Sequence, residues 1–226
     1  MVLLLADSRL PTGAHAHSGG VEAAVERGLL RDASDLATFL VGRLKGSGAV
    51  VAAAAATGCL LAAPADQEPD WSRWDAAVSA RTPSPAVRAA SRAQGAALLR
   101  TAQRMWPSPA VASLSRLGRP HHPLVLGVLV DAAGDGPGAA ALLALHHLLG
   151  GACSAAVRLL GLDPITVAAV QAGTGPAAEQ AARRATQAAV EAVRRADPAL
   201  LPSTGTPLLD VLAELHARAE VTLFAS

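Results

Sequence analysis

The stretch from Ala49 to Ala63 contains almost no polar residues, and it constrains the fold more than any other part of the chain. Most of its residues are alanine, which favours helix more than any other amino acid. A helix with no polar face must be covered on all sides. Because the stretch is shorter than a typical membrane span, we expect a central helix that other helices of the same protein surround.

The remaining composition favours an all-α fold. Hydrophobic residues make up 51% of the 226-residue chain but aromatic residues only 2%, and the apolar content is mostly Ala, Leu and Val. The β-branched and aromatic residues that strands prefer are therefore sparse. Because a chain of this length has enough volume for a real core, we predict one helical domain over 1–226 with about eight to ten helices.

Charge and missing motifs exclude several classes of function. The net charge of +1 and the absence of tyrosine argue against nucleic acid or an anionic membrane as the main partner. The sequence has no phosphate-binding loop, G-x-S-x-G, H-E-x-x-H or C-x-x-C motif, which argues against an enzyme. Cys59 and Cys153 stand alone, so we interpret both as buried apolar residues. Since no secretory signal is recognisable, we expect a cytoplasmic protein.

Capping residues and helix breakers predict the main helices. Ser84 followed by Pro85 is a strong start signal, and Gly46-Ser47-Gly48 is expected to bend the helix that contains the apolar stretch. Gly150 and Gly151 are expected to divide an internal helical hairpin. The predicted helices cover 19–27, 35–63, 71–78, 85–106, 125–133, 139–149, 152–160 and 177–196, with further helices beginning at Pro164 and Thr206.

The N-terminal segment 3–22 is the part that a generic helical protein would not need. Ser18 is a good N-cap, and Glu22 places negative charge in the first helical turn. The glycines after Ser18 could form only a tight corner, or they could leave backbone amides open to another backbone or an anion. The candidate contact residues in this segment are Asp7, Arg9, Pro11, Gly13, Ser18, Gly19, Gly20 and Glu22.

A second candidate surface lies on the helix predicted over 85–106. At 100° per residue, Arg88, Ser91, Arg92 and Gly95 share one face. A glycine inside a helix costs about 1 kcal/mol relative to alanine, and one reason to keep it is the close approach of another backbone. Arginines beside that glycine supply donors for carboxylates or carbonyls. The alternative is a solvated face with an incidental glycine.

Three ordered motifs resemble the urease accessory protein F family. The first is L-A-D-S-R-L-P-T-G-x-x-x-H-S-G-G-x-E in the N-terminal segment, and the second is R-x-x-S-R-x-Q-G-x-x-L-L-R on the arginine helix. The third is the C-terminal P-L-L-D with a following His216 and a terminal L-F-A-S. Thr222 stands where the family pattern has arginine, so a charge-assisted contact there is in doubt.

The resemblance implies a dimeric, all-helical, non-catalytic protein. It implies partners of the D or H type, a nickel-carrying GTPase of the G type, and apo-urease as the final recipient. Nickel and GTP would be handled by the partner complex, with no cofactor bound directly. We predict that Arg88, Arg92 and Gly95, with the turn over 7–22, control the GTPase. The last helix with His216, and the tail 217–226 with Leu223 and Phe224, would hold the D or H partner.

Histidine supports a different hypothesis, in which the chain itself binds nickel. Imidazole suits Ni(II), and the sequence contains His15-x-His17 and two His-His pairs. Adjacent histidines on a helix point about 100° apart, however, and rarely chelate one ion together. We therefore predict no metal site and keep a histidine-based nickel chaperone as the alternative.

Overall fold

The computed structural model describes residues 2–7, 10, 18–64 and 67–219, and these residues contain helices and no strand. The prediction of an all-α protein is confirmed. Twelve α-helical segments are present in the described ranges, slightly more than expected, because the short α1 and α7 were not predicted. They are α1 Val2–Ala6, α2 Val21–Glu26, α3 Ala33–Arg43, α4 Ala49–Ala62, α5 Trp71–Ala80, α6 Pro85–Met105, α7 Pro109–Ser115, α8 His122–Ala132, α9 Pro137–Leu160, α10 Pro164–Gly173, α11 Gly175–Arg194 and α12 Pro207–His216.

Helix α4 is the centre of the molecule, as its sequence predicts. It packs against α8, α9 and α11, and every residue from Val50 to Cys59 except Val51 is buried. One apolar cluster joins α4 to α2, α3, α9 and α11. A second joins α4 to α6, α7 and α8. An all-apolar helix can sit here because every side of it meets another helix.

The contact between α4 and α8 is made backbone to backbone through two glycines. A Cβ atom placed on Gly58 would lie 2.4 Å from the carbonyl oxygen of Leu124, and one on Gly127 would lie 2.0 Å from that of Ala55. Such distances leave no room for any side chain. The two glycines therefore allow the helices to cross more closely than alanine would permit.

The predicted bend between α3 and α4 is confirmed. Residues Leu44–Gly48 form a π-helical turn, and Gly46 leaves the helical region with φ −96° and ψ −108°. The loop before α12 packs into this bend, where Thr204 Oγ1 donates to the carbonyl oxygen of Gly46 at 2.8 Å. A Cβ on Gly46 would lie 2.9 Å from the carbonyl oxygen of Gly205, so the close approach requires glycine.

The prediction of a break at Gly150 and Gly151 is wrong. Helix α9 runs without interruption from Pro137 to Leu160. Each helical glycine costs about 1 kcal/mol, but Leu149 and Ala152 on either side of the pair are buried in the core. Burial of the flanking residues outweighs the cost of the glycines, and the helix continues.

Within the described part of the chain, two helical stretches are long and apolar enough to cross a membrane by length and composition. They are 33–62, which comprises α3, the π-helical turn and α4, and 137–160. In the first, 67% of the most apolar window is buried inside the protein, and in the second 56%. Both are core helices of this fold, which accounts for their apolar composition.

Candidate functional site

The last residues of the N-terminal segment, 18–22, pack against α12. Gly19 and Gly20 adopt positive φ angles of 61° and 90°, which turn the chain sharply into α2. Helix α2 therefore begins at Val21 with Gly20 at the cap position, and the prediction that Ser18 is the N-cap is wrong. The buried Ser18 hydroxyl still accepts a hydrogen bond from the backbone N–H of Glu22, at 3.4 Å.

Glu22 and His216 form a buried contact between the two ends of the described chain. The Glu22 Oε2 and His216 Nε2 atoms lie 3.5 Å apart, and both side chains are almost fully enclosed. Gly20 lies against Leu209 of α12, whose Cδ2 would be 3.6 Å from an added Cβ. Tertiary folding thus brings together predicted site residues that the sequence places near opposite ends.

Helix α12 also makes hydrogen bonds to the N-terminus of α6. Glu214 accepts a hydrogen bond from the Ser84 hydroxyl and another from the backbone N–H of Ala86, the latter at 2.9 Å. Ser84 in turn caps α6 by accepting from the N–H of Val87 at 3.1 Å. The pKa of the Glu214 carboxyl is lowered, first by the Ser84 hydrogen bond and then by the Ala86 N–H. Through these contacts α12, α2 and the N-terminus of α6 form one surface.

The arginine face of α6 is occupied by other parts of the same chain. Arg88 Nη1 donates to the carbonyl oxygens of Thr82 and Pro83, both at 2.7 Å. Arg92 Nη2 lies 2.6 Å from Asp75 Oδ2, and its Nη1 donates to the carbonyl oxygen of Arg119 at 2.6 Å. The face is therefore neither a solvated surface nor an open set of donors. It fixes α6 to α5 and to the segment before α8.

Gly95 permits this packing. A Cβ at Gly95 would lie 2.0 Å from the carbonyl oxygen of Pro120 and 2.9 Å from the backbone nitrogen of His122. The predicted close approach of another backbone is thus present, and that backbone belongs to the same chain.

A buried polar cluster connects these elements around His121. The imidazole Nδ1 lies 2.9 Å from the Ser91 hydroxyl, and Nε2 lies 2.9 Å from the Ser79 hydroxyl. The backbone N–H of His121 donates to Asp75 Oδ1 at 2.9 Å. Burial lowers the pKa of His121 to about 4, so the ring is neutral at neutral pH. A neutral imidazole with one donor and one acceptor suits two hydroxyl groups, each of which can take either role.

A cavity of about 510 Å³ lies beside these contacts. The predicted site residues Asp7, Gly19, Gly20 and Ser91 line it together with residues of α3, α9 and α12. The histidines of α9 and the start of α8 also reach it. The rings of His122 and His147 are 6.0 Å apart and those of His146 and His147 are 6.1 Å apart, while His147 Nε2 lies 2.9 Å from the carbonyl oxygen of Leu5.

The described residues contain no group of three or more His, Cys, Asp or Glu side chains placed to hold a metal ion. Cys59 and Cys153 are free and buried, as predicted, and burial raises the pKa of their thiols to about 12 and about 11. Several predicted positions lie outside the described residues: Arg9, Pro11, Gly13, His15, His17, Thr222, Leu223 and Phe224.

Comparison with known proteins identifies the family. The family model described as UreF matches residues 30–175. The chain is 43% identical over 228 residues to the urease accessory protein UreF of Mycobacterium sp. (strain JLS), covering 100% of this chain and 97% of that protein. It is 44% identical over 228 residues to the urease accessory protein UreF of Mycolicibacterium vanbaalenii, with the same coverage.

The chain belongs to the UreF family. The resemblance inferred from the three motifs is confirmed. The UreF match over 30–175 includes α6 and the His121 cluster, while α2 and α12 lie outside it. Those two helices are covered by the alignments with the whole-length UreF relatives, which include 100% of this chain.

Sequence reasoning missed two features of this region. Arg43 lies seven residues after Leu36 and three after Leu40, both fully buried, so helical spacing placed a charge on the buried stripe of α3. The sequence therefore indicated that Arg43 lies at a buried position. It did not indicate the role of His121, because its partners Ser79 and Ser91 are 42 and 30 residues away.

Proposed function

We propose that this chain is a non-catalytic adaptor of urease maturation. It binds a D- or H-type accessory protein and a G-type GTPase, and it supports GTP-dependent insertion of nickel into apo-urease. Nickel and GTP are cargo and substrate of the partner complex, and the adaptor works in the cytoplasm as a homodimer. Membership of the UreF family over the whole chain is the observation that carries this proposal.

The exposed face of α12 supports an adaptor role. Leu208, Val211 and Leu215 are 60%, 56% and 42% exposed, and their spacing places them on one side of the helix. The neighbouring face, with Leu212 and Ala213, is buried against the protein. An apolar helical stripe that faces solvent is suited to a groove on another protein. It therefore supports the part of the predicted docking segment that lies in the last helix.

The α6 region supports a second contact. Arg88 and Arg92 are partly exposed although their guanidinium groups bind carbonyls and Asp75. Side chains held in this way present a rigid surface and lose little entropy when a partner binds. We assign this surface, with the Gly19–Gly20 turn, to the GTPase partner as a positioning contact.

The test is co-purification with the D- or H-type protein, the G-type GTPase and apo-urease. Changing Leu208 and Val211 to aspartate should abolish capture of the D- or H-type protein while leaving the Tm unchanged, because both side chains point to solvent. The matched control is Ile165→Asp on α10, which removes an 80% exposed apolar side chain elsewhere. Equal capture by the wild type and the α12 double variant would remove this docking face.

A separate measurement examines the GTPase contact. Arg88→Ala should change GTP turnover of the G-type protein or its recovery in the complex. Gly95→Leu is unsuitable for this purpose, because its side chain would collide with the backbone at Pro120 and would disturb the fold. Turnover and complex formation that both match the wild type would remove the α6 surface from the proposal.

The second candidate is a nickel chaperone that holds the ion itself. It rests on His15-x-His17 in the N-terminal segment, because His122, His146 and His147 do not form a group placed to hold a metal ion. Equilibrium dialysis separates the two functions. Tight nickel binding by the isolated chain that is lost in a His15→Ala, His17→Ala variant would favour the chaperone.

A further inference from the structure

The charges of this chain are unevenly distributed along its sequence. Residues 71–130, which contain α5, α6, α7 and most of α8, include eight of the 19 basic residues but only one of the 18 acidic residues. That segment therefore carries a formal charge of +7, and the rest of the chain carries −6. The net charge of +1 conceals this asymmetry, which makes the helices of the segment a candidate surface for an anionic partner.

Part of this positive charge is exposed and has no carboxylate beside it. The one acidic residue of the segment, Asp75, is buried and already bound to Arg92. Arg100 and Arg104 are exposed on α6, and Arg119 is exposed shortly before α8. Within the ranges that the structure describes, no carboxylate forms an ion pair with these three side chains. Their charges are therefore available to another molecule.

The three arginines belong to one layer of the fold. Leu99 and Ala102 are buried in the apolar cluster that joins α6 to α7, so Arg100 and Arg104 lie on the α6 face that points away from the core. They are about one helical turn apart, roughly 6 Å along the axis. The carbonyl oxygen of Arg119 accepts a hydrogen bond from an α6 arginine at 2.6 Å, which places residue 119 beside the same helix.

The residue types on this surface are those of a protein interface. Met105 follows Arg104 and is 46% exposed, and Trp106 after it is partly exposed. Arginine, methionine and aromatic residues are enriched where proteins meet, whereas lysine and the acidic residues are depleted. The segment 71–130 contains no lysine. This combination favours an acidic protein as the occupant over a nucleic acid.

The position of the surface indicates the probe. The α6 contact assigned above to the GTPase includes Arg92, and Arg100 lies about two turns further along the same helix, roughly 12 Å away. An interface of standard size buries about 800 Å² on each partner, which is enough to cover both positions. One partner protein can therefore contact the whole exposed length of α6.

We infer that the C-terminal half of α6 is a docking surface for an acidic face of a partner protein. This basic surface consists of Arg100, Arg104 and Met105 on α6, with Arg119 beside them. The inference rests on the proposed adaptor function. Exposed charges of this kind steer the encounter between two proteins and raise its rate more than they slow dissociation.

The experiment measures how fast the purified G-type GTPase binds the full chain. Surface plasmon resonance is recorded at several concentrations of sodium chloride. The association rate constant of the wild type should fall about tenfold between about 50 and about 500 mM salt, because salt screens the attraction that steers the encounter. The dissociation rate constant should change much less.

Two pairs of substitutions assign the effect to α6. Arg100→Glu with Arg104→Glu should lower the association rate constant about tenfold at low salt and flatten its salt dependence. Replacing both with glutamine should lower it about threefold, because the charges are removed without being reversed. Both side chains are exposed, so circular dichroism should show an unchanged fold.

Arg183→Glu with Arg184→Glu is the matched control. It makes the same change in net charge on exposed arginines of α11. Its association rate constant should stay within about twofold of the wild type, because charges away from an interface are screened by salt. The comparison separates the basic surface from the overall charge of the chain.

Three results would overturn the inference. The first is an association rate constant that is the same in the wild type and both α6 variants, or equally reduced in the α6 and α11 glutamate variants. The second is binding of a 20-base-pair duplex DNA that only the α6 variants lose, which would assign the surface to nucleic acid. The third is a GTPase that does not bind the wild type, which would also remove the proposed GTPase contact. The first two results leave that contact standing.

Discussion

His121 depends on neighbours that lie far away in the sequence. Its two ring nitrogens meet hydroxyls from α5 and α6, and its backbone N–H meets Asp75. Every polar atom of the ring therefore has a partner although the residue is fully buried. The cluster holds the segment before α8 against the arginine face of α6, and it explains why that face contains serine and arginine without being a solvated surface.

Burial of His121 makes stability sensitive to acid. The unfolded pKa of histidine is about 6.5, whereas burial lowers that of folded His121 to about 4. Between these values the unfolded chain binds a proton that the folded chain does not, so the free energy of unfolding falls as the pH falls. His147, whose pKa burial also lowers to about 4, acts in the same direction.

We expect His121→Asn to weaken this acid sensitivity. The loss of unfolding free energy between about pH 7 and about pH 4.5 should be smaller by about 2 kcal/mol than in the wild type. Urea denaturation at the two pH values measures the difference. His146→Asn is the control, because it removes an exposed histidine without touching the cluster. The same pH dependence in wild type and His121→Asn would contradict the assignment.

Substitutions of Asp75 and Arg92 should have strongly coupled effects on the free energy of unfolding. Asp75→Ala leaves Arg92 without its carboxylate and the His121 N–H without its acceptor, so we expect a loss of about 2 to 4 kcal/mol. Adding Arg92→Met should recover part of that loss, because the unpaired charge is also removed. A double-mutant cycle measures the coupling, and additive losses from the two substitutions would contradict this account.

At the scale of elements, glycines have opposite effects depending on what lies beside them. Gly58 and Gly127 let α4 and α8 cross backbone to backbone, whereas Gly151 in α9 has no other atom within 4 Å of where a Cβ would stand. The sequence presents all three alike, as glycines inside apolar helices. This is why the close crossing was not anticipated and why a break at Gly150–Gly151 was wrongly expected.

This contrast gives a paired prediction for alanine substitutions. Gly127→Ala should lower the free energy of unfolding by about 1 to 3 kcal/mol, because a methyl group would overlap the carbonyl oxygen of Ala55. Gly151→Ala should raise it by about 1 kcal/mol, because alanine is the better helix former and the space is open. Chemical denaturation of both variants checks the signs, and a shared sign would refute the explanation.

At the scale of the whole molecule, α12 joins the two ends of the described chain to the middle. It contacts α2 through Glu22 and His216, and it caps α6 through Glu214. Its outer face stays apolar and exposed. A helix held by polar contacts on one side presents its other side in a defined orientation, which is what the proposed docking face requires.

Glu214→Ala should loosen α12 without unfolding the protein. Loss of the contacts to Ser84 and Ala86 should leave the global free energy of unfolding nearly unchanged, but the amides of α12 should exchange with deuterium faster while those of α4 are unchanged. Glu179→Ala on the exposed face of α11 is a suitable control. Unaltered exchange in α12 would show that Glu214 does not anchor the helix.

The all-α class, the central position of α4 and most helix starts followed from the sequence alone, because propensity, capping residues and apolar composition act within a few neighbouring residues. The family followed from ordered motifs. Tertiary structure alone decided that Glu22 meets His216, that Ser79 and Ser91 enclose His121, and that Arg43 lines a cavity while its Nε is buried without a hydrogen-bond partner. Those outcomes depend on which helices pack together, and packing joins residues whose separation along the chain carries no local signal.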